Sequence, residues 1–594
     1  MQTKKVLTLM HVMAAILLIV GLFPQLLLGQ ANVAAAKSWD LYSEKIMSKD
    51  TTNKTLELEI QGVIKLAENY KVTQKIEGEN IEKSLRDVRV GAENITVKVN
   101  HKGEITKIFI DGPTPVKNMR VGIMTTGFAS IDHEKIELSS PTGLKIVDKI
   151  TNEAFEIGEN EKITFTPDSH AVTVKKQDGT EIYTTSNRLY VSTVEGSKIK
   201  VDSITRAVKD PSYRGFFEIT ATLTGDKLKL INEVDFEEYL YQVVPSEMPA
   251  SFGLNALKSQ AVAARTYAVG DYLADRFAKG GYFVLDSVMS QVYNNSSENT
   301  LTTQAVQETK GVIMYSNGGS LVDARYYSTS GGFGASKHQV WADADGTFPG
   351  QEVPYLVAKS HTFDPNDTSE MLEIDTSNEQ EIREFYKTLS YRGYDDTSAY
   401  FRWKVSFSNE ELANTINNNI KARYAADPNF ILTQNESGEF VSLPIPDEGI
   451  GEFNNMYVVK RGDGGNIMEL VIEGSTGTYK IVKEYNIRFT IRPSATYTLG
   501  GPVTLHRATG GSSGYSATPL TNYTILPSAF FSFEIDEESG VTFFGGGNGH
   551  GVGMSQYGAS QLGLEGWTFD QILTAYYSNM TLTDVSVIGG SGEK

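Results

Sequence analysis

Hydrophobic positions alternate with period two in the early part of the chain. Thr55 to Ile60 alternates as a half-buried strand does. Val97 and Val99, then Ile105, Ile108 and Ile110, predict a hairpin whose turn is Asn100 to Gly103. Arg120 to Ile123 opens a second strand-rich stretch, and Phe217 to Leu223 and Leu228 to Leu230 alternate across a Thr224-Gly225-Asp226 turn. The period then changes. Phe236 to Val244 predicts a short helix stopped before Pro245, because proline disfavours helical geometry in the residue before it. From Leu254 the apolar positions Leu257, Ala261, Ala264, Ala268 and Tyr272 follow helical spacing. Gln260 and Arg265 sit on or beside that alanine stripe, closer to the packed face than a plain surface helix would put them.

Later segments predict a strand at Leu321 to Tyr327 and a tight hydroxyl-rich loop, Ser328 to Gly332. From Phe363 to about Asn454 the composition turns polar and acidic, which suggests an insertion or a mobile flank with helical pieces such as Asn409 to Ile420. Val458 to Pro493, including Ile487 and Arg488, reads as strand-rich. The run Gly545 to Gly551 leads into a helix through Leu564, Gly566 ends it, and Thr568 to Tyr577 makes a last helix. The predicted fold class is α+β and multi-domain, with strand-rich regions flanking a helical segment that carries the site. Residues 38–112 form a β-rich module in which no chemistry is evident, and 113–588 form the main domain, with 363–454 inserted.

Composition narrows the function. The 594-residue chain has a formal charge of −19 without basic runs, which argues against nucleic acid as a main partner. Cysteine is absent, so disulfides, thiolate nucleophiles and thiolate zinc sites are excluded. Lys4 and Lys5, an apolar run from Val6 to Leu28 and a small-residue stretch to Ala36 read as an export signal over 1–36. Pro24 interrupts a run that is long for a cleaved signal, so an uncleaved anchor is the alternative. The expected location is extracellular or wall-associated, or anchored on the outer face of the cytoplasmic membrane.

The candidate chemistry centres on Glu247, held between Pro245 and Pro249 among Val243, Val244 and Met248. Apolar surroundings raise a carboxyl pKa and keep an acid protonated near neutrality. The competing reading is a structural glutamate that caps the next helix or pairs with Arg265. The glycine run lacks a phosphate-loop ending; its glycines more readily let backbone approach another chain closely. That leaves His550 reachable by ligand or held as a structural histidine. Ser555 and Gln556 could donate to a sugar or amide. Tyr293, Tyr326 and Tyr327 suit either a sugar-stacking floor or a core. No nucleophile elbow surrounds Ser330, and no His-Glu-x-x-His motif occurs, so serine-hydrolase and metal readings are weak. No cofactor and no metal are expected.

The segments EYLYQVVPSEMPASFGLNALKSQAVAARTYAV, SQVY, YYSTSGG, the Trp341 segment, IRFTIR and GHGVGMSQYGA occur in this order. Together they resemble the stage II sporulation protein D family (SpoIID/LytB), from about Arg120 to about Val585. The resemblance implies peptidoglycan glycan strands as substrate. It implies either a lytic transglycosylase or a wall protein that enhances an amidase autolysin, with that autolysin or another cell-wall hydrolase as partner. It also implies that the catalytic glutamate of the Ser-Glu-Met-Pro motif is Glu247. Gln260, Arg265, Gln291, Tyr293, Tyr327, Ser330, His550, Ser555 and Gln556 are the expected substrate contacts, and Glu247, Tyr327 and His550 are expected to converge on one groove. Sporulation members carry His-Ser-Thr-Cys-Gly-Gly, whose histidine and cysteine are associated with zinc. Tyr327 and Ser330 stand at those positions here.

Overall fold

A computed structural model describes residues 40–194, 196–515 and 518–588. The predicted leader, 1–36, lies outside the described residues. Among the described residues no helix is long and apolar enough to cross a membrane. The chain is α+β and divides into two compact units. Among the described residues, one comprises 40–239 together with Asp271–Gln291 and 586–588; the other comprises Leu240–Gly270 and Val292–Val585.

The first unit is built almost wholly from strands. Residues 40–111 form a seven-stranded sheet in which the predicted hairpin, Ile95–Val99 and Ile105–Asp111, pairs antiparallel. Its inward positions, including Ile46, Leu56, Val97, Ile105 and Ile108, close one hydrophobic cluster. Alternation with period two places these side chains on one face, which is what makes the hairpin legible from sequence. An eight-stranded sheet holds the second predicted hairpin, Phe216–Ala221 and Leu228–Asp235. A buried ion network crosses this unit. Arg120 donates to both oxygens of Glu218 at 2.7 Å and also meets Glu233. Lys45 reaches Glu233 at 2.6 Å, and Arg188 links Glu218 at 2.8 Å to Glu57 at 2.7 Å.

In the second unit, two five-stranded sheets and the helix Asn409–Ala426 share one hydrophobic core. Residues 363–454, expected as an insertion or mobile flank, contribute to that core directly. Arg402–Phe407 is the central strand of one sheet, paired on both sides, and Trp403, Leu412, Ile416 and Ile420 are buried. Much of their polar composition belongs to the outward faces, the positions that enter the hydrophobic core are apolar, and Asp395, Arg402 and Thr415 are buried as well.

Three further expectations differ from the structure. The helix starting at Phe236, here α1 (Phe236–Glu247), runs through Pro245. Proline removes one backbone donor, but the ladder resumes after it, with Met248 N–H donating to Val244 at 2.9 Å. Leu321 to Tyr327 is strand only at Tyr326–Tyr327. Ile487 and Arg488 lie in a helix, Glu484–Thr490. Strand-like residue types are overridden there by local anchors: Asn486 donates to Val482 O at 2.8 Å, and Arg488 reaches Glu484 at 3.0 Å and Leu526 O at 2.9 Å.

Candidate active site

The site is built within the second unit from the end of α1, from α2 (Leu254–Ala274) and from α3 (Gln556–Leu564). Ser246, next to Pro245, fastens the end of α1. Its hydroxyl donates to Gln242 O at 2.7 Å and accepts from the backbone N–H groups of Asn295 and Ser296 at 3.0 and 3.2 Å. The loop so fixed brings Val292 N–H to Glu247 Oε1 at 2.8 Å. Val243, Val244 and Met248 are fully buried beside it, while Glu247 itself stays partly exposed. Burial pushes the Glu247 carboxyl up to about 7, against the hydrogen bonds from Val292 N–H and the Tyr326 hydroxyl, which favour the charged form. No arginine or lysine is among the groups that perturb it. An acid of this kind holds both protonation states in quantity at neutral pH.

Gln556, the first residue of α3, ties these elements together. Its amide donates to Glu247 O at 3.0 Å and to Gln260 Oε1 at 3.2 Å. Gln260 is sealed from solvent, and its amide nitrogen has no partner among the described residues. Arg265 is equally sealed. Its guanidinium donates to the carbonyls of Val312 at 3.2 Å and Val306 at 3.3 Å. It therefore clamps backbone behind α2; a ligand contact, or a pairing with Glu247, is not what this geometry provides.

Glycine explains how the two later motifs meet. Tyr326–Tyr327 pairs parallel with Met554–Ser555, and Thr329 bridges Asn548. A Cβ on Gly331 would lie 2.2 Å from Gly547 N, and one on Gly553 would lie 2.0 Å from Arg325 O. Only glycine permits backbones this close, and both residues have positive φ. The approach is to the chain's own 325–331 segment. His550 comes to rest between Trp341 and Tyr327, with ring centroids 4.9 and 5.5 Å away. Its Nδ1 accepts from Val552 N–H at 3.1 Å. Burial, then Arg325 and Arg488, push the imidazole down to about 3, against a hydrogen bond to the Tyr326 backbone. His550 is thus a neutral, oriented ring. Tyr326, through its hydroxyl and its backbone, joins Glu247 to His550.

Ser330 and Ser555 point into the same buried polar centre, whose hub is Asp395. Ser555 Oγ donates to Asp395 at 3.0 Å, and Ser330 N–H donates to the same oxygen. Burial raises the Asp395 pKa against these bonds to Ser330 and Ser555. Sequence reasoning missed Asp395 because no motif surrounds it and it lies in the polar stretch set aside as an insertion. Tyr293 and Tyr327 are buried as well, so neither ring face is open as a stacking floor. Gln291 is buried in the first unit, where its amide oxygen accepts from Tyr239 at 3.2 Å.

The donor set does not fit zinc at the loop where the resemblance would put it. Burial, then the Asp395 and Tyr577 charges, hold the Tyr327 phenol well above its usual range and therefore neutral. Ser330 offers only an alcohol already engaged with Gly332 N–H at 3.1 Å. Among the described residues no group of three or more acidic or histidine side chains is placed to hold a metal ion.

Several known proteins share part of this sequence. The family profile described as "SpoIID: Stage II sporulation protein" matches residues 224–315, which carry Glu247, α2 and the Val292 loop. The chain is 30% identical over 343 residues to an amidase enhancer of Bacillus subtilis, covering 57% of this chain and 40% of that protein. It is 32% identical over 148 residues to the stage II sporulation protein D of Bacillus subtilis, covering 23% of this chain and 40% of that protein. The stage II sporulation protein D of Bacillus amyloliquefaciens matches at 32% over 149 residues. The matches thus span about two fifths of each relative's length.

Proposed function

We propose that this chain, which carries a stage II sporulation protein domain over 224–315, is an exported cell-wall protein that cuts peptidoglycan glycan strands as a lytic transglycosylase. Protonated Glu247 gives its proton to the glycosidic oxygen as the bond from that oxygen to the MurNAc anomeric carbon breaks. The resulting carboxylate takes the proton from the C6 hydroxyl of the same sugar. The C6 oxygen then closes on the anomeric carbon and leaves a 1,6-anhydro end. Tyr326 and Val292 N–H stabilise the carboxylate midway, and Gln556 and Gln260 hold the backbone at Glu247. Arg265 acts as a positioning residue through the carbonyls it clamps.

The observation that carries this reading is the raised Glu247 carboxyl, which no charged side chain among the described residues perturbs. A second carboxylate close by would perturb Glu247 electrostatically, and among the described residues its shift comes from burial and two hydrogen bonds. A hydrolase that activates water normally uses two carboxylates; a single acid/base with an internal hydroxyl nucleophile does not. Mass spectrometry of digested glycan strands tests it. The expected products carry 1,6-anhydro ends, and Glu247→Gln lowers their rate by roughly 10²–10⁴-fold with the fold intact. Reducing ends without anhydro products would defeat it.

A second reading follows from the match to an amidase enhancer, which covers more of this chain than the sporulation proteins do. On that reading the chain binds the wall, stimulates an amidase and cuts nothing. Stimulation of a purified amidase that persists undiminished in Glu247→Gln, with no anhydro product from either protein, selects it.

A further inference from the structure

A cavity of about 1050 Å³ opens in the second unit, and none of the site residues described above lines it. This lies at the upper end of ordinary small-ligand sites, roughly 300–1,000 Å³. One wall is aromatic: Tyr394 and Trp567 meet edge to face at 6.3 Å, and both are partly exposed. Another wall is the segment Ser369–Ile374, where Met371, Leu372 and Ile374 are half-buried. The imidazole of His361 stacks on Tyr394 at 5.8 Å. It is only 3% exposed, and its Nδ1 has no hydrogen-bond partner among the described residues.

The charges around the cavity are one-sided. Glu370, Glu373, Asp463 and Asp570 line it, all are exposed, and none has an ion-pair partner among the described residues. The opposing cation is Lys359, and its ammonium is already committed to Ala575 O at 2.7 Å. Four unpaired carboxylates over an apolar and aromatic floor repel anions and favour a cation on an apolar stem. The aliphatic wall suits an alkyl chain better than a sugar ring.

We infer that this cavity is a second binding site, which takes a short peptide bearing a primary ammonium on an aliphatic side chain. The alkyl stem lies along Met371, Leu372 and Ile374, and the ammonium meets Asp463 and Asp570 near the Trp567 face. The His361 ring, stacked on Tyr394, backs the aromatic wall. This inference does not depend on Glu247 chemistry, so Glu247→Gln leaves peptide binding unchanged even where glycan cleavage is lost.

Calorimetry and tryptophan fluorescence on the full chain test it with three probes: the peptide Ala-Leu-Lys-Ala, the same peptide acetylated on the lysine amine, and a neutral N-acetylglucosamine tetramer. The free-amine peptide is expected to bind, more weakly at high salt, and acetylation is expected to weaken it roughly tenfold. The exposed pair Asp463→Asn with Asp570→Asn weakens the free-amine peptide by a similar factor and leaves the acetylated one unchanged. Equal affinity for both peptides, preference for the tetramer, or no peptide binding overturns the inference.

Discussion

Two glutamates in this protein, both pushed up by burial, have opposite fates. Burial pushes Glu218 up, but Arg120 and Arg188 beside it hold it well below the usual carboxylate range. Glu247 is partly exposed beside buried Val243, Val244 and Met248, meets no cation, and is raised by burial to about 7. Both accept hydrogen bonds, so hydrogen bonding alone does not separate them. The difference is whether a permanently charged guanidinium shares the site. In the first unit the carboxylate is a fixed charge that crosslinks strands; in the second it is a group that can gain and lose a proton near neutral pH.

Breaking the first case should have the larger effect. Arg120→Met strands Glu218 and Glu233 without their shared partner, and removing one partner of a buried network costs about 3–5 kcal/mol. Denaturant unfolding measures this. A loss below 1 kcal/mol, on the order of a surface pair, would mean the network is dispensable.

Glu247→Gln should do the reverse and stabilise the fold at alkaline pH. The native carboxyl keeps its proton to about pH 7, whereas the unfolded one loses it near 4.5. The native state therefore binds more protons between those values, and stability falls as pH rises through that window. Above pH 7 the charged form costs about 3 kcal/mol, which the glutamine avoids; below pH 4.5 the two proteins should match. Unfolding midpoints measured at both pH extremes check the sign. A Glu247→Gln variant that is less stable at high pH contradicts it.

Tyr326→Phe is the smallest change. It removes a donor to the charged form, so the Glu247 pKa should rise further. The alkaline limb of the glycan-cleavage pH profile should move upward with it. An unmoved limb would leave Tyr326 without influence on the acid.

What sequence could reveal follows from these same forces. The period-two hairpins and the alanine stripe of α2 were legible because each buries one face. Glu247 was legible because Pro245, Pro249 and apolar neighbours surround it in sequence as they do in space. Asp395 was hidden because its partners, Ser330 and Ser555, are distant in sequence. The strand over 402–407 was hidden by the polar loops around it. Arg265 shows the limit from the other side: a charged residue on a packed face signals burial and a partner, but not whether the partner is substrate or backbone. The different placement of Tyr326 and Tyr327 has the same origin. Alternation along two strand residues turns one side chain to Glu247 and the other inward, and sequence alone does not say which.

The most direct measurement is the titration of Glu247 itself, followed by ¹³C NMR of glutamate-labelled protein with Glu247→Gln used to assign the signal. The account predicts a carboxyl that titrates near pH 7, well apart from the exposed glutamates. A Glu247 that titrates near 4.5 would mean that the site is wetter or better paired than described, and that its acid role fails.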